Sequence, residues 1–138
     1  MELLVGLDES APSWAALEYA LTEHPEADIV VVHVVDPSES GYGEAAHLGS
    51  ETIRDRRRKR ATELFERARR RGAEHDVEIG TELLTGQPAA AVVEYASERD
   101  VDRVVVGSHG RSGVSRVLLG SVAERIARRS PVPVTIVR

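Results

Sequence analysis

Five short apolar runs alternate with four stretches of helical periodicity, and this alternation limits the possible folds more than any other feature of the chain. The runs are Leu3–Leu7, Ile29–Val35, Val77–Leu84, Val104–Val106 and Val132–Val137. β-Branched residues dominate four of them, as strands favour. The intervening segments predict helices over about Pro12–Glu23, Glu51–Arg71, Pro88–Arg99 and Ser121–Arg129. Their apolar stripes are Trp14, Leu17 and Leu21; Ala61, Leu64, Phe65 and Ala68; Val92, Val93 and Ala96; and Val122 and Ile126. Pro12 and Pro88 fall in first turns, where a missing N–H costs nothing. Strict strand–helix alternation implies βαβ units and a mostly parallel sheet.

The strand order can be argued from burial pattern. Runs one, two and four are almost wholly apolar, as expected of strands covered on both faces. Run three alternates, with Val77, Ile79 and Leu83 on one face and Glu78, Gly80 and Glu82 on the other. Run five opens with Pro131-Val132-Pro133, and proline is confined to sheet edges and strand starts. Strands three and five are therefore edges. The expected fold is α/β: a single domain over residues 1–138, an open five-stranded parallel sheet of order 3-2-1-4-5, and helices on both faces. At 138 residues, a globule buries roughly 68–70% of its unfolded surface, enough for a real core. The one long loop runs from Asp36 to Ser50.

Composition removes several classes of function. There is no cysteine, so disulfides, thiol redox chemistry and thiolate metal sites are excluded. No run approaches the roughly 20 apolar residues of a membrane span. Met1-Glu2-Leu3-Leu4-Val5 lacks the basic start of a secretory signal, and a cytoplasmic protein is expected. The net charge of −5 hides an asymmetry, because segment 51–72 carries ten Lys/Arg against four Asp/Glu.

In open α/β sheets, ligands bind beyond the carboxyl ends of the strands, where the strand order reverses. For order 3-2-1-4-5 that point lies between strands one and four. Strand one ends in Leu7-Asp8-Glu9-Ser10, and strand four in Gly107-Ser108-His109-Gly110-Arg111-Ser112-Gly113, which leads to Gly120-Ser121 at the next helix. Glycines let backbone N–H groups approach an anion, and a helix N-terminus adds free donors and partial positive charge. A phosphate is the ligand this pattern suits.

The spacing Gly107-x2-Gly110-x9-Gly120-Ser121, with Val5-Gly6-Leu7-Asp8-Glu9-Ser10, His33-Val34-Val35-Asp36 and Ser130-Pro131-Val132-Pro133-Val134, resembles the nucleotide-binding branch of the universal stress protein family over nearly the whole chain. The resemblance implies ATP or AMP as ligand, with Mg2+ as a possible companion. It implies Asp8 beside the ribose or adenine, Val34 lining the adenine pocket, and Gly107 and Gly110 close to the sugar and phosphates. Gly120, Ser121 and Val122 would contact the phosphates. It further implies a homodimer through the last strand, Val132–Val137, and a nucleotide-dependent regulator of stress responses.

Plainer readings accompany these. Ser121-Val122-Ala123-Glu124 also reads as a capping box, and Asp8 as a turn residue with Ser10 as the helix N-cap. Arg111 and Arg116 suit either phosphates or solvent. His33 reads as a satisfied core histidine, and Trp14 as core. Helix 51–72 offers Glu63–Arg67 and Glu66–Arg70 pairs and no interleaved aromatics, so it reads as a solvated face and not as a nucleic-acid site. The five histidines have no metal-ligand spacing, and Lys59, the only lysine, excludes a Walker motif. Alternative functions are a slow ATPase or phosphotransferase using His109 and Asp8, or an interaction module that binds no nucleotide.

Overall fold

The computed structural model describes residues 1–38, 50–109 and 119–138. Element order is β1 (Glu2–Gly6), α1 (Ala11–Glu23), β2 (Asp28–Val35), α2 (Ser50–Glu74), β3 (Gly80–Thr85), α3 (Pro88–Glu98), β4 (Arg103–Gly107), α4 (Ser121–Arg129) and β5 (Val134–Val137). All four strand pairings are parallel, and the order is β3-β2-β1-β4-β5, as expected from the sequence.

The sheet separates two cores. On one face, α1 and α2 place Ala16, Leu17, Leu64 and Phe65 against Leu3, Val5, Ile29 and Val31. On the other, α3 and α4 place Val92, Ala96 and Ile126 against Leu4, Val32, Val104 and Val106. Each central strand therefore buries both sets of alternating side chains, which is why β1, β2 and β4 read as continuous apolar runs.

Two boundaries differ from the sequence reading. Helix α2 continues past Arg71 to Glu74 because Gly72 is packed rather than terminal. A Cβ there would stand 2.7 Å from the Ile79 side chain and from the Val77 carbonyl. Pairing of β3 starts at Gly80, not Val77, because the Val77 N–H is taken by the Gly72 carbonyl at 2.9 Å. Leu83, read on one face with Ile79, is 39% exposed where Ile79 is buried, while Leu84 packs against the core under α3.

Leu4 is fully buried at the centre of the second core. Leu4→Ala should destabilise the fold by about 2–5 kcal/mol through lost transfer energy and a residual cavity. Denaturant melts of the full chain measure this, and a loss below 1 kcal/mol would mean the site collapses freely.

Candidate functional site

The carboxyl ends of β1 and β4 lie side by side, with Leu3–Val5 in register with Arg103–Val105. The strand order reverses here, and the residues beyond both strand ends define the crevice. The β1 end is held firmly. Leu7 N–H donates to the Val32 carbonyl at 2.9 Å, and His33 Nδ1 lies 2.8 Å from the Leu7 carbonyl. A carbonyl only accepts, so Nδ1 carries the proton, and His33 is the satisfied structural histidine expected.

The turn from β1 into α1 is tied by three side chains. Asp8 Oδ1 accepts from the Ser10 N–H at 2.7 Å, forming a turn of the Asx kind. Ser10 is the N-cap of α1, its hydroxyl accepting from the Ser13 N–H at 3.3 Å. The buried Ser13 hydroxyl accepts from the Asp8 N–H at 3.1 Å and sits 2.9 Å from the Asp8 and Ser10 carbonyls. Asp8 is thus a turn residue, as the plainer reading held. A carboxylate offers about four acceptor positions, so this single bond does not exhaust it.

At the β4 end, Gly107 meets the first turn of α1. A Cβ on Gly107 would stand 2.6 Å from the Pro12 carbonyl carbon. Only a residue without a side chain lets α1 close on β4 at this point. Ser108 is buried, donates its N–H to the Val137 carbonyl at 2.7 Å, and accepts from the Gly120 N–H at 2.8 Å. That last bond brings the start of α4 onto the end of β4. Ser108 Oγ is also 3.1 Å from His109 Nδ1, and Ser10 Oγ donates to the His109 carbonyl at 3.4 Å.

The start of α4 departs from the expected capping box. Gly120, not Ser121, is the N-cap, and no side chain caps it. Ser121 is exposed at the first helical position, and Glu124 turns forward to Arg128 at 2.8 Å instead of back toward the cap. Helices α1 and α3 are capped by Ser10 and Gln87 side chains. At α4 the first-turn N–H groups of Ser121, Val122 and Ala123 have no partner within the helix by its geometry. The result is a cluster of donors with a positive dipole end, directed past the end of β4.

Val34 lies near the end of β2, half-buried against the α3–α4 core, and Val122 packs against the same cluster. Gly107, Gly120, Ser121 and His109 gather at the β4–α4 junction, and Asp8 at the adjoining β1 end. Gly110, Arg111 and Arg116 lie outside the described residues. Among the described residues, no group of three His, Asp or Glu side chains could hold a metal ion.

Asp36, the last residue of the His33-Val34-Val35-Asp36 motif, lies just past β2. Its Oδ1 accepts from the Ser38 hydroxyl at 2.7 Å and the Ser38 N–H at 2.8 Å, and its carbonyl accepts from Arg57 Nη1 at 3.0 Å. The Ser38 hydroxyl first, then its N–H, hold the carboxyl below its ordinary value; desolvation opposes them, and the Arg57 charge contributes least.

The sequence profile of the universal stress protein family matches residues 1–138. The universal stress protein YxiE of Bacillus subtilis is 32% identical over 145 residues, spanning 99% of this chain and 98% of that protein. A solved universal stress protein in complex with cAMP superposes with a TM-score of 0.74 at 27% identity, covering 100% of this chain and 97% of the other. One from Archaeoglobus fulgidus in complex with dAMP gives 0.71 at 23% identity, covering 100% and 98%.

Two outcomes are expected. Gly107→Ala should cost about 1–3 kcal/mol by overpacking against Pro12, read as a lower denaturation midpoint. A wild-type midpoint would show that α1 yields. Any stabilisation from the lowered Asp36 pKa is present above the ordinary aspartate value and lost as pH falls through the lowered one. Ser38→Ala should move the Asp36 midpoint upward in a carboxyl-carbon NMR titration, and an unmoved midpoint would refute the Ser38 assignment.

Proposed function

The chain belongs to the universal stress protein family, and from that premise we propose that it binds an adenine nucleotide between the carboxyl ends of β1 and β4 and acts as a nucleotide-dependent regulator of stress responses. The observation that carries the reading is the start of α4. Its N-cap is a glycine with no capping side chain, held against the end of β4 by the Gly120–Ser108 bond. Helix starts capped by their own side chains, as in α1 and α3, have spent a donor that this one keeps. The cAMP and dAMP complexes of other family members support adenine as the base.

In this reading the phosphates meet the N–H groups of Gly120, Ser121 and Val122 and the Ser121 hydroxyl. Gly107 and Gly110 pass close to the sugar and phosphates, Val34 lines the adenine pocket, and Asp8 faces the ribose or base with the acceptor capacity its turn bond leaves free. ATP is the ligand proposed, with AMP as its smaller counterpart, and Mg2+ would accompany the polyphosphate. Bound nucleotide changes the surface offered to partners at this end of the sheet. A homodimer through the β5 edge and a cytoplasmic location belong to the same proposal.

Ser121→Asp separates binding from folding. A carboxylate at the first helical position favours the helix dipole by about 0.3–1 kcal/mol, so the variant should melt no lower than the wild type. The same charge faces the phosphates, and affinity for ATP should fall at least about tenfold, roughly 1.4 kcal/mol. Calorimetric titration of both proteins with ATP, AMP and cAMP measures this. Equal affinities, or a wild type that binds none of the three, would overturn the proposal.

A further inference from the structure

The first half of α2 is built against the ordinary rules of helix stability. Six of the seven residues from 54 to 60 are positively charged, with Asp55 the exception. Arg54 and Arg58, and Arg56 and Arg60, are like-charged neighbours one turn apart, which destabilises a helix. Neither expected pair, Glu63–Arg67 nor Glu66–Arg70, forms. The later cations of α2 are used inside the molecule instead. Arg67 lies 4.7 Å over the Trp14 ring, Arg69 bonds Thr81, and Arg71 bridges Glu18 and Glu74. Arg54, Arg56, Arg58, Lys59 and Arg60 are exposed and make no ion pair among the described residues.

A matching arrangement of opposite sign lies at the other end of the sheet. Glu2 and Asp28 are register partners on β1 and β2, and the Asp102 carboxylate accepts from the Glu2 N–H at 2.7 Å. With Glu26 and Asp100 in the turns entering β2 and β4, they form a row of five carboxylates along the amino ends of β2, β1 and β4. None forms an ion pair among the described residues. The row spans two strand spacings, about 10 Å. Residues 54 to 60 rise about 9 Å along α2.

The two arrangements cannot meet within one molecule. The Arg57–Asp36 bond sets the basic segment at the carboxyl end of β2, whereas the carboxylates precede the strands. We infer that the basic first half of α2 docks on the carboxylate row of a second copy of this chain, head to tail. The two surfaces agree in sign and in length. A lipid surface fits less well, because the apolar residues of α2, Ile53, Ala61, Leu64 and Phe65, are buried in its own fold. Nucleic acid is opposed by the net charge of −5 and finds no exposed aromatic on this helix. A contact between two different surfaces does not close on itself, so assembly should grow with concentration beyond any dimer.

Sedimentation velocity of the full chain tests this. The wild type should form species larger than a dimer at low salt, and these should weaken roughly tenfold or more by 0.3 M salt, where exposed charges are screened. Arg54→Glu/Arg58→Glu and Glu26→Lys/Asp28→Lys should each abolish the larger species while leaving the thermal melt intact. Mixed together, the two variants should assemble again, since each supplies the surface the other lacks. A wild type that stays a monomer or dimer at every concentration would overturn the inference. So would assembly indifferent to salt and to both variants. Binding of a duplex DNA probe through Arg54 and Arg58 without such assembly would transfer the helix to a polyanion and overturn it equally.

Discussion

The crevice exists because β1 is paired on both sides. Leaving β1, the chain passes through α1 to β2 and through α2 to β3, moving one way across the sheet. It then returns through α3 to β4, on the far side of β1, and through α4 to β5. Right-handed crossovers that advance in opposite directions must cover opposite faces. The two cores show this, with α1 and α2 on one side and α3 and α4 on the other. At the carboxyl ends of β1 and β4, α1 and α4 therefore depart to opposite faces and leave a gap between them.

The two sides of that gap are fixed by different means. The β1 side is closed by mutual satisfaction: Asp8 to Ser10, Ser10 to Ser13, and Ser13 back to Asp8. Each bond is modest alone, about 0.5–1.5 kcal/mol net, but breaking one strands a partner in a half-buried turn. The β4 side is fixed through backbone, by Ser108 to Val137 and Gly120 to Ser108. These bonds position the start of α4 without capping it. Its donors are held in place by the fold itself, with no rearrangement needed to present them together.

Most of this was legible in the sequence for identifiable reasons. Runs one, two and four declared themselves central because burial on both faces leaves no polar alternation. The alternation of run three and the prolines before run five declared the edges. With the order known, the reversal point followed, and with it the cluster around Asp8, Gly107, Gly120 and Ser121. The misreadings share a cause: local patterns were overridden by tertiary contacts. The apolar pattern ended the second helix at about Arg71, but Gly72 is an interior contact for Ile79 and the helix runs on to Glu74. Ser121 and Glu124 had capping-box spacing, yet Glu124 found Arg128, and the cap fell one residue earlier. Glu63 had an arginine at the right distance, yet Arg67 found the face of Trp14. Gly107 was read as room for a ligand, and the structure adds that α1 needs the same absence of a side chain.

Charge placement follows a different logic from the rest of the chain. In a helix favoured by its own dipole, carboxylates gather at the start and cations at the end. Here α1 ends at Glu23 and α3 at Glu98, neither with a basic residue in its last turn, while the cations of α2 are densest in its first half. The helix that obeys the rule is α4, with Glu124 in its first turn and Arg128 and Arg129 in its last. The consequence at the level of the molecule is a charge difference along the strand direction. Basic residues of α2 project at the end that carries the crevice, and carboxylates line the end opposite. The exposed α2 cations lie toward the carboxyl end of β2, where Arg57 holds the Asp36 carbonyl, and at physiological ionic strength their field reaches only about 8 Å before screening removes it. The α2 cations thus act on their immediate surroundings, as a contact surface and not as a long-range field.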